Sequence, residues 1–151
     1  MSKVPVMNRC VIFDVDGTLM NINHRRHHVQ GANKDWKQFN ATMVFDTIND
    51  HVFHLAHALK NDGYSILVFS GRKEEHRDLT ETQLKFGKLE PTILWMRPDD
   101  NYEPDHVLKK EFLDNARAAG FNPKIVVDDR PSVVQMWRDN GLTCFDVGGF
   151  E

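Results

Sequence analysis

Residues 10–19 read CVIFDVDGTL, an apolar run that leads into two aspartates, Asp14 and Asp16, and then into a Gly-Thr turn. A short run with Val and Ile that stops near a glycine is typical of a strand buried on both faces of a parallel sheet. In open α/β sheets the ligand crevice lies outside the carboxyl ends of the strands, so we expect both carboxylates there. Two clustered anions favour a cation between them, and an all-oxygen ligand set suits Mg²⁺. The stretch therefore predicts a metal-dependent catalytic site.

Three other interpretations of the Asp-x-Asp spacing compete with a catalytic site. An EF-hand loop has glycine at its sixth position and glutamate at its twelfth, whereas Gly17 comes too early and follows a strand. A response-regulator receiver phosphorylates an aspartate on a different strand from its metal-binding pair. The third alternative is an aspartate-rich surface turn without chemistry. The order of strand, acids and Gly-Thr turn is the one that phosphoryl chemistry requires, and it favours catalysis.

Strand-like and helix-like segments alternate along the rest of the chain. Apolar runs predict strands at 64–69, 92–96, 124–127 and 142–147, and periodic or charged segments starting near 46, 74, 105 and 131 predict helices. Asp46 is a candidate N-cap of the first helix. The alternation predicts an α/β fold with a Rossmann-like parallel sheet flanked by helices, and one edge of the sheet would hold Asp14, Ser70 and Asp129. We expect residues 1–151 to form a single domain.

A polar, irregular segment, residues 20–45, interrupts this alternation. Long insertions without periodicity are more often functional lids than idle loops, so the segment is predicted to be a small cap over the site. Its basic residues at 24–28 either bind a second phosphate or a base, with Trp36 as a stacking surface, or form a solvated loop. In the second, simpler interpretation Trp36 and Phe39 only anchor the loop.

Composition narrows the function classes. A formal charge of −3 and a pI near 6.2 argue against a general polyanion-binding surface, so nucleic-acid contacts would be local. Cys10 and Cys144 lie in apolar runs, which predicts buried free thiols and a reducing, cytoplasmic location. The absence of an apolar run of about 18 residues predicts no membrane partner and no visible export signal. The chain has no G-x-x-x-x-G-K-[ST] phosphate loop, so no kinase activity is expected.

FDVDGTL, at residues 13–19, resembles the first motif of the haloacid dehalogenase superfamily of phosphotransferases. The resemblance implies that Asp14 is the nucleophile, which becomes an aspartyl phosphate. It implies that Asp16 is the general acid and base. Thr18, in the same motif, is expected to contact the phosphate.

The other superfamily motifs match segments further along the chain. Ser70, Gly71 and Arg72 would offer a hydroxyl, a backbone N–H and a guanidinium to phosphate oxygens. The motif lysine, which would neutralise the nucleophile and the transferring phosphoryl group, matches Lys109, with Lys110 as the alternative. The implied metal ligands are the Asp14 side chain, the Asp16 backbone carbonyl and Asp129. Adjacent strand residues point to opposite faces, so Asp128 would be an outer partner of the metal site.

Five segments together resemble the 3′-phosphatase domain of bacteriophage polynucleotide kinase-phosphatases: FDVDGTL, VFSGR, DHVLKKEF, VVDDRPSVVQMWR and LTCFDV. This narrower resemblance implies roles for Arg72, Arg130 and Asp105 at the substrate, although Asp105 is equally interpretable as a helix N-cap. The full-length relatives also carry a kinase domain, and because its phosphate loop is missing from this chain we expect a free-standing phosphatase, phage-encoded or cellular; no protein partner is indicated.

The implied substrate is the 3′-phosphate of a DNA or RNA end or of a nucleotide. A rival within the enzymes is a 5′-mononucleotidase or small-metabolite phosphatase, which the acidic charge mildly favours. A rival outside them is a binding protein that has lost turnover, and the intact Asp14, Asp16, Lys109 and Asp129 argue against it.

Overall fold

A five-stranded parallel sheet with helices on both faces is the centre of the computed structural model, which describes residues 8–148. The ends of the predicted domain, residues 1–7 and 149–151, lie outside this range. The strands are β1 (Cys10–Phe13), β2 (Met20–Asn21), β3 (Thr47–Ile48), β4 (Ser65–Lys73), β5 (Ile93–Arg97), β6 (Ile125–Asp128) and β7 (Thr143–Asp146). The sheet order is β5-β4-β1-β6-β7, and β2 and β3 pair separately and antiparallel. The predicted α/β fold is confirmed.

The helices connect successive strands. They are α1 (Trp36–Ala41), α2 (Asp50–Asn61), α3 (Arg77–Phe86), α4 (Asp105–Ala118) and α5 (Pro131–Asp139), with 3₁₀ turns at Asn23–Val29, Met43–Phe45 and Glu74–His76. Pro131 opens α5 because its fixed φ and missing N–H suit the first helical turn. Within residues 8–148, no helix combines the length and the apolar character needed to cross a bilayer.

Strand β1 is buried on both faces, as its continuous apolar sequence predicts. Cys10 and Ile12 pack towards α4 and α5, whereas Val11 and Phe13 pack towards α2 and α3, and each of the four is at most 2% exposed. Cys10 and Cys144 are buried in the α4/α5 layer, and neither forms a disulfide within the described residues. Burial raises the pKa of the Cys144 thiol to about 12, which keeps it protonated and unreactive.

The order of the strands locates the crevice of the sheet. The chain moves outward from β1 to β4 and β5, then returns to the other side of β1 to form β6 and β7. Such a reversal opens a crevice at the carboxyl ends of the central strands. In this sheet the crevice lies at the end of β1, between β4 and β6.

Residues 20–45, which the sequence predicts to be a cap, lie in the segment between β1 and α2. It contains the β2–β3 pair, two of the 3₁₀ turns and α1. The prediction that Asp46 caps the following helix is wrong, because α2 begins at Asp50 with Asn49 at the N-cap position. The Asn49 side chain instead donates to the Thr18 carbonyl at 2.7 Å, and Asp46 lies in the site described below.

Candidate active site

Three carboxylates meet where β1 and β6 end. Asp14 follows β1 directly, Asp128 ends β6 and Asp129 comes next. One oxygen of each carboxylate lies within 4.8 Å of an oxygen of the other two. The group forms because β1 and β6 are paired in parallel, so that their carboxyl ends reach the same edge. Strand alternation would point Asp128 and Asp129 to opposite faces, but β6 ends at Asp128. Asp129 lies outside the strand, so both side chains reach the acidic group.

Asp14 lies at the centre of this acidic group and is 6% exposed. The Lys109 ammonium donates to its Oδ1 at 2.6 Å, and the Thr18 hydroxyl donates to its Oδ2 at 3.1 Å. Burial, followed by the charge of Asp128, raises the pKa of Asp14 well above its ordinary value, although Lys109 opposes this. Negative charge in this buried site is energetically unfavourable, and a bound cation would stabilise it.

Lys109 projects from α4 into the acidic group. Besides Asp14, its ammonium donates to Asp128 Oδ2 at 3.1 Å. Burial lowers the pKa of Lys109, but the two carboxylates outweigh burial and raise that pKa above its ordinary value. Lys110 lies on the helix surface and pairs with Asp114 one turn on. The structure therefore places Lys109, and not Lys110, at the site.

Asp128 is 1% exposed and accepts four hydrogen bonds. Its Oδ2 accepts from Lys109 and from the indole N–H of Trp137, both at 3.1 Å. Its Oδ1 accepts from the backbone N–H groups of Asp129 and Arg130, at 2.7 and 3.4 Å. Each Asp128 oxygen thus accepts two hydrogen bonds from the protein, whereas each Asp14 oxygen accepts one from the donors above, so Asp128 suits the role of a fixed supporting carboxylate better than that of a direct ligand.

The donor set of the acidic group fits Mg²⁺, which binds few protein carboxylates and retains several waters. Asp14 and Asp129 present hard oxygen ligands. Burial raises the pKa of Asp129 as well, against the opposing effect of a hydrogen bond with Asp14. Arg26, from the cap, lies with its guanidinium 3.5 Å from the Asp129 carboxylate.

The Gly-Thr turn after β1 packs directly against the acidic group, which restricts the residues that fit there. Gly17 has a φ of +80°, and a Cβ there would lie 2.1 Å from an Asp129 oxygen, so only glycine fits. Thr18 is fully buried, and its hydroxyl faces the carboxylates of Asp14 and Asp129, at 3.1 and 3.4 Å. The Thr18 hydroxyl therefore orients the two acids, and its expected contact with a phosphate stays a prediction.

Asp16, the second acid of the motif, lies in a different electrostatic setting. Its Oδ1 accepts from Arg72 at 2.7 and 2.9 Å and from Arg25 at 2.9 Å. Burial raises the pKa of Asp16, but the two guanidiniums outweigh burial and bring that pKa below its ordinary value. Asp16 is therefore a stable carboxylate in the absence of substrate.

Arg72 is 4% exposed, and protein acceptors use each of its N–H groups. Apart from Asp16 it donates to Thr80, Gln83 and Asp46, at 3.0, 2.7 and 3.0 Å. The implied role of Arg72 as a phosphate ligand does not match this arrangement. Its guanidinium is saturated by the protein and holds Asp16 in place.

Ser70 and Gly71 lie where β4 passes the end of β1. The strand was predicted to break here but continues to Lys73 through a register shift against β5. The Ser70 hydroxyl accepts from the backbone N–H of Arg72 at 3.0 Å, which leaves its own proton to donate. A Cβ on Gly71 would lie 2.8 Å from an Asp105 carboxylate oxygen, so a larger residue here would have to displace that side chain.

Asp105 is the first residue of α4, and its side chain makes no capping hydrogen bond, so the N-cap interpretation is wrong. Its carboxylate accepts from Arg97 at 2.5 Å and from Arg130. The Arg130 side chain is 53% exposed. Asp105 therefore links the end of β5 to the residue that follows the acidic group.

Sequence reasoning missed the role of Asp46 and left that of Arg25 open. Arg25 is fully buried and donates to Asp46 through Nε and Nη2, both at 2.7 Å. The Asp46 carboxylate is fully buried and also accepts from Arg72 and His24. Asp46 thus holds both arginines against Asp16. Both residues lie in an irregular segment, where no periodicity marks a buried position, and the excess of arginine in the cap was the available signal.

A cleft of about 350 Å³ opens beside the acidic group, between the cap and the start of α2. Gly17, Thr18, Asn23, Arg26 and Asn49 contribute to its walls. It is large enough for a small ligand attached to a phosphoryl group.

The parallel sheet, the acidic edge and the buried lysine define a phosphatase of the haloacid dehalogenase type, a phosphoric monoester hydrolase. The polynucleotide kinase PNKP phosphatase domain family matches residues 8–149. The chain belongs to that family, and the resemblance noted in the sequence is confirmed.

Individual relatives agree with this assignment. A protein of Autographa californica nuclear polyhedrosis virus, named "Putative bifunctional polynucleotide kinase/RNA ligase", is 30% identical over 92% of this chain and 19% of its own length. A chain of the solved Pnkp1/Rnl/Hen1 RNA repair complex is 30% identical with a TM-score of 0.81, over 99% of this chain and 46% of that one. This chain thus spans a fifth to a half of these relatives. A hydrolase of Streptococcus pneumoniae shares the fold at 14% identity and a TM-score of 0.65, over 92% of each chain.

Proposed function

We propose that this protein is a Mg²⁺-dependent phosphatase that removes 3′-phosphates from nucleic-acid ends or nucleotides through an aspartyl phosphate on Asp14. The observation that carries the proposal is the buried Asp14 carboxylate, which a lysine and a hydroxyl hold at the carboxyl end of β1 within reach of two further acids. Membership of a polynucleotide kinase phosphatase family supports the nucleic-acid substrate.

In the proposed reaction Asp14 is the nucleophile. Lys109 and Thr18 fix its carboxylate, so that little reorientation is needed for in-line attack on phosphorus. When bound, Mg²⁺ supplies charge neutralisation and polarises the phosphoryl group, and its protein ligands would be Asp14, Asp129 and the Asp16 carbonyl. Lys109, with Ser70 and the Gly71 N–H, would offset the charge that develops on the phosphoryl oxygens.

Asp16 is the proposed acid and base. The hydrogen bonds from Arg72 and Arg25 end on Oδ1, so we assign proton transfer to Oδ2. Its lowered pKa keeps Asp16 deprotonated, so it can accept the proton of the water that cleaves the aspartyl phosphate. A bound phosphate dianion offsets the two guanidiniums and thereby favours the protonated form that the leaving oxygen needs.

The substitution Asp14→Asn tests the nucleophile. We expect it to abolish hydrolysis of an aryl phosphate while the circular dichroism spectrum stays unchanged, because an amide of the same shape cannot form the acyl phosphate. Chelation with EDTA should abolish wild-type turnover, and added Mg²⁺ should restore it. Retained turnover in Asp14→Asn would refute the mechanism.

The substrate is tested by comparing kcat/KM for 3′-phosphorylated oligonucleotides, 3′-mononucleotides and 5′-mononucleotides. We expect the 3′-phosphorylated substrates to be preferred. A preference for 5′-mononucleotides would favour the rival phosphatase, and hydrolysis of none of these substrates or of the aryl phosphate would favour a binding protein.

A further inference from the structure

The outer surface of the cap carries a half-exposed tryptophan. Trp36 opens α1 and is 51% exposed, although its indole meets Phe39 edge-on at 5.6 Å. Phe39 is half-buried and packs against the core beneath the cap. Phe39 therefore anchors the cap. Much of the Trp36 ring faces solvent, so anchoring alone does not account for a tryptophan at this position.

The sequence segment that carries Trp36 has a net positive charge, whereas the whole chain has a net negative charge. Residues 23–39 contain four lysines and arginines against one aspartate, a net +3 in a chain of −3. Lys34 and Lys37 flank Trp36 in sequence and are exposed. The one acid, Asp35, is engaged as the helix cap, where it accepts from the Gln38 N–H at 3.0 Å. An aromatic surface between cations is the combination that binds a single-stranded polyanion.

Trp36 is connected to the catalytic acids by packed side chains. Phe39, its partner, lies under the Arg25 guanidinium, 4.2 Å from ring centroid to Cζ, and accepts from Arg25 through its carbonyl at 3.4 Å. Arg25 in turn donates to Asp16. Only two side chains thus separate the exposed indole from the proposed acid and base.

Phe86 and Tyr102, the two most exposed aromatic residues that the structure describes, lack this combination. Phe86 is 77% exposed but ends α3, which runs back from the edge that holds the acids. Tyr102 is 80% exposed, but one ring face is covered by Lys73 at 4.6 Å and its loop, residues 98–104, contains three acids. Of these three aromatic residues, Trp36 is therefore the one that suits a polyanion.

We propose that Trp36 is a stacking platform for an unpaired base near the 3′ end of a single-stranded nucleic acid, with Lys34 and Lys37 neutralising its backbone phosphates. The proposal rests on the proposed function and names the strand state of its substrate. A base inside a duplex is stacked on both faces and held by its pairing, whereas an unpaired base can turn one face to the indole, so the platform favours single-stranded ends.

Fluorescence tests the platform without turnover. In an Asp14→Asn background, a short single-stranded 3′-phosphorylated oligonucleotide should quench tryptophan emission, because Trp36 is exposed whereas Trp95 and Trp137 pack in the core layer between the sheet and α4/α5. The same titration on Asp14→Asn with Trp36→Phe should lose the quenching. A blunt duplex should quench less than the single strand.

Catalysis gives the second readout. Trp36→Ala should lower the ratio of kcat/KM for the oligonucleotide to that for an aryl phosphate about tenfold, as expected for one stacking contact, mainly through KM. Trp36→Phe should retain part of the preference. Phe86→Ala, an exposed aromatic remote from the site, is the matched control and should leave the ratio unchanged.

The outcomes separate this proposal from the proposed function. An unchanged ratio, or equal losses on both substrates, would overturn the platform, because Trp36 would then have no role or only anchor the cap. Absence of Trp36-dependent quenching by the oligonucleotide would also overturn it. If the wild type prefers 5′-mononucleotides but quenching by single strands persists, the platform stands and the 3′ specificity fails.

Discussion

The two aspartates of the first motif lie two residues apart and are held in opposite ways. Asp14 belongs to the sheet: its neighbours are Asp128 and Lys109, and its pKa is raised by burial and then by Asp128. Asp16 belongs to the cap: two arginines bind it, and its pKa is lowered. The chain thus supplies one acid whose charge needs a cation and one whose charge is already compensated.

This contrast explains how neighbouring, chemically identical groups can perform different tasks. A nucleophile that awaits a metal ion gains from an environment in which its negative charge is uncompensated. A group that must release and accept a proton gains from fixed positive charges that an incoming phosphate can offset. The burial and partners of each acid, and not its residue type, assign the role.

The largest expected effect is on the sheet side. Lys109→Met should lower kcat at least a hundredfold and destabilise the fold by about 3–5 kcal/mol, because it leaves buried carboxylates without their partner. Urea unfolding and aryl phosphate hydrolysis measure these changes. Lys110→Met, the adjacent lysine in an exposed ion pair, should change stability by less than about 0.5 kcal/mol. Similar effects of the two substitutions would refute the assignment of Lys109.

The next prediction sets the two acids against each other in EDTA. Asp16→Asn should destabilise the protein by about 2 kcal/mol at neutral pH, because it weakens charge-assisted hydrogen bonds, whereas Asp14→Asn should raise Tm by removing an uncompensated charge. The difference between wild type and Asp16→Asn should persist down to the unfolded-state pKa, 3.8, and vanish as pH falls through the lower folded-state pKa. The advantage of Asp14→Asn should vanish on acidification, once Asp14 is protonated.

Thermal melts between neutral and strongly acidic pH would measure the expected decrease of Tm in Asp16→Asn and the expected increase of Tm in Asp14→Asn. A decrease of Tm in both variants at neutral pH would show that the two environments are alike, and the comparison would fail.

Arg25 tests how the cap contributes to Asp16. Arg25→Met should lower kcat about tenfold and shift the acidic limb of the pH profile of kcat to higher pH, because loss of a guanidinium raises the pKa of Asp16, the base of the hydrolytic step. Arg25→Lys keeps the positive charge but loses the two-point contact with Asp46. We expect this variant to restore the wild-type pH profile more fully than the wild-type kcat. A drop in rate with an unmoved profile would reduce Arg25 to a packing residue.

The smallest expected effect concerns the weaker donor to Asp14. Thr18→Val keeps the shape but removes the hydroxyl, and it should cost about 1 kcal/mol of stability and less than tenfold in kcat. Thr18→Ser should behave like the wild type. A large increase in KM for Thr18→Val would indicate that the hydroxyl binds the phosphate, as the family resemblance first implied.

The sheet side of the site could be predicted from sequence because its residues obey periodic rules. An apolar run ending in acids predicts where Asp14 and Asp129 emerge, and the alternation of strands and helices predicts that they meet. The superfamily resemblance implies Lys109 with Lys110 as the alternative, and the contact with Asp14 distinguishes the two. The predicted break at Ser70 was wrong because a glycine inside a strand also fits a bulge, and β4 continues to Lys73 by that route.

The cap side could not be predicted in the same way. Arg25, Asp46 and Arg72 form a buried charge network whose members come from a 3₁₀ turn, a loop and a strand. Nothing in residue type distinguishes a buried Asp46 from a helix cap, and a motif arginine can bind phosphate or another side chain. Only the three-dimensional arrangement reveals that both arginines are used to hold Asp16.

The long sequence separations of these contacts have a consequence for how the chain folds. Lys109 is 95 residues from Asp14, and Arg72 is 56 residues from Asp16. Contacts of such high order form late, since a large loop must close before they stabilise anything. On a ribosome Asp14 emerges long before its counter-ion Lys109. Burial of the first strand is complete only once α4, β6 and α5 have packed around it, and the same part of the chain brings Lys109, Asp128 and Asp129 to Asp14.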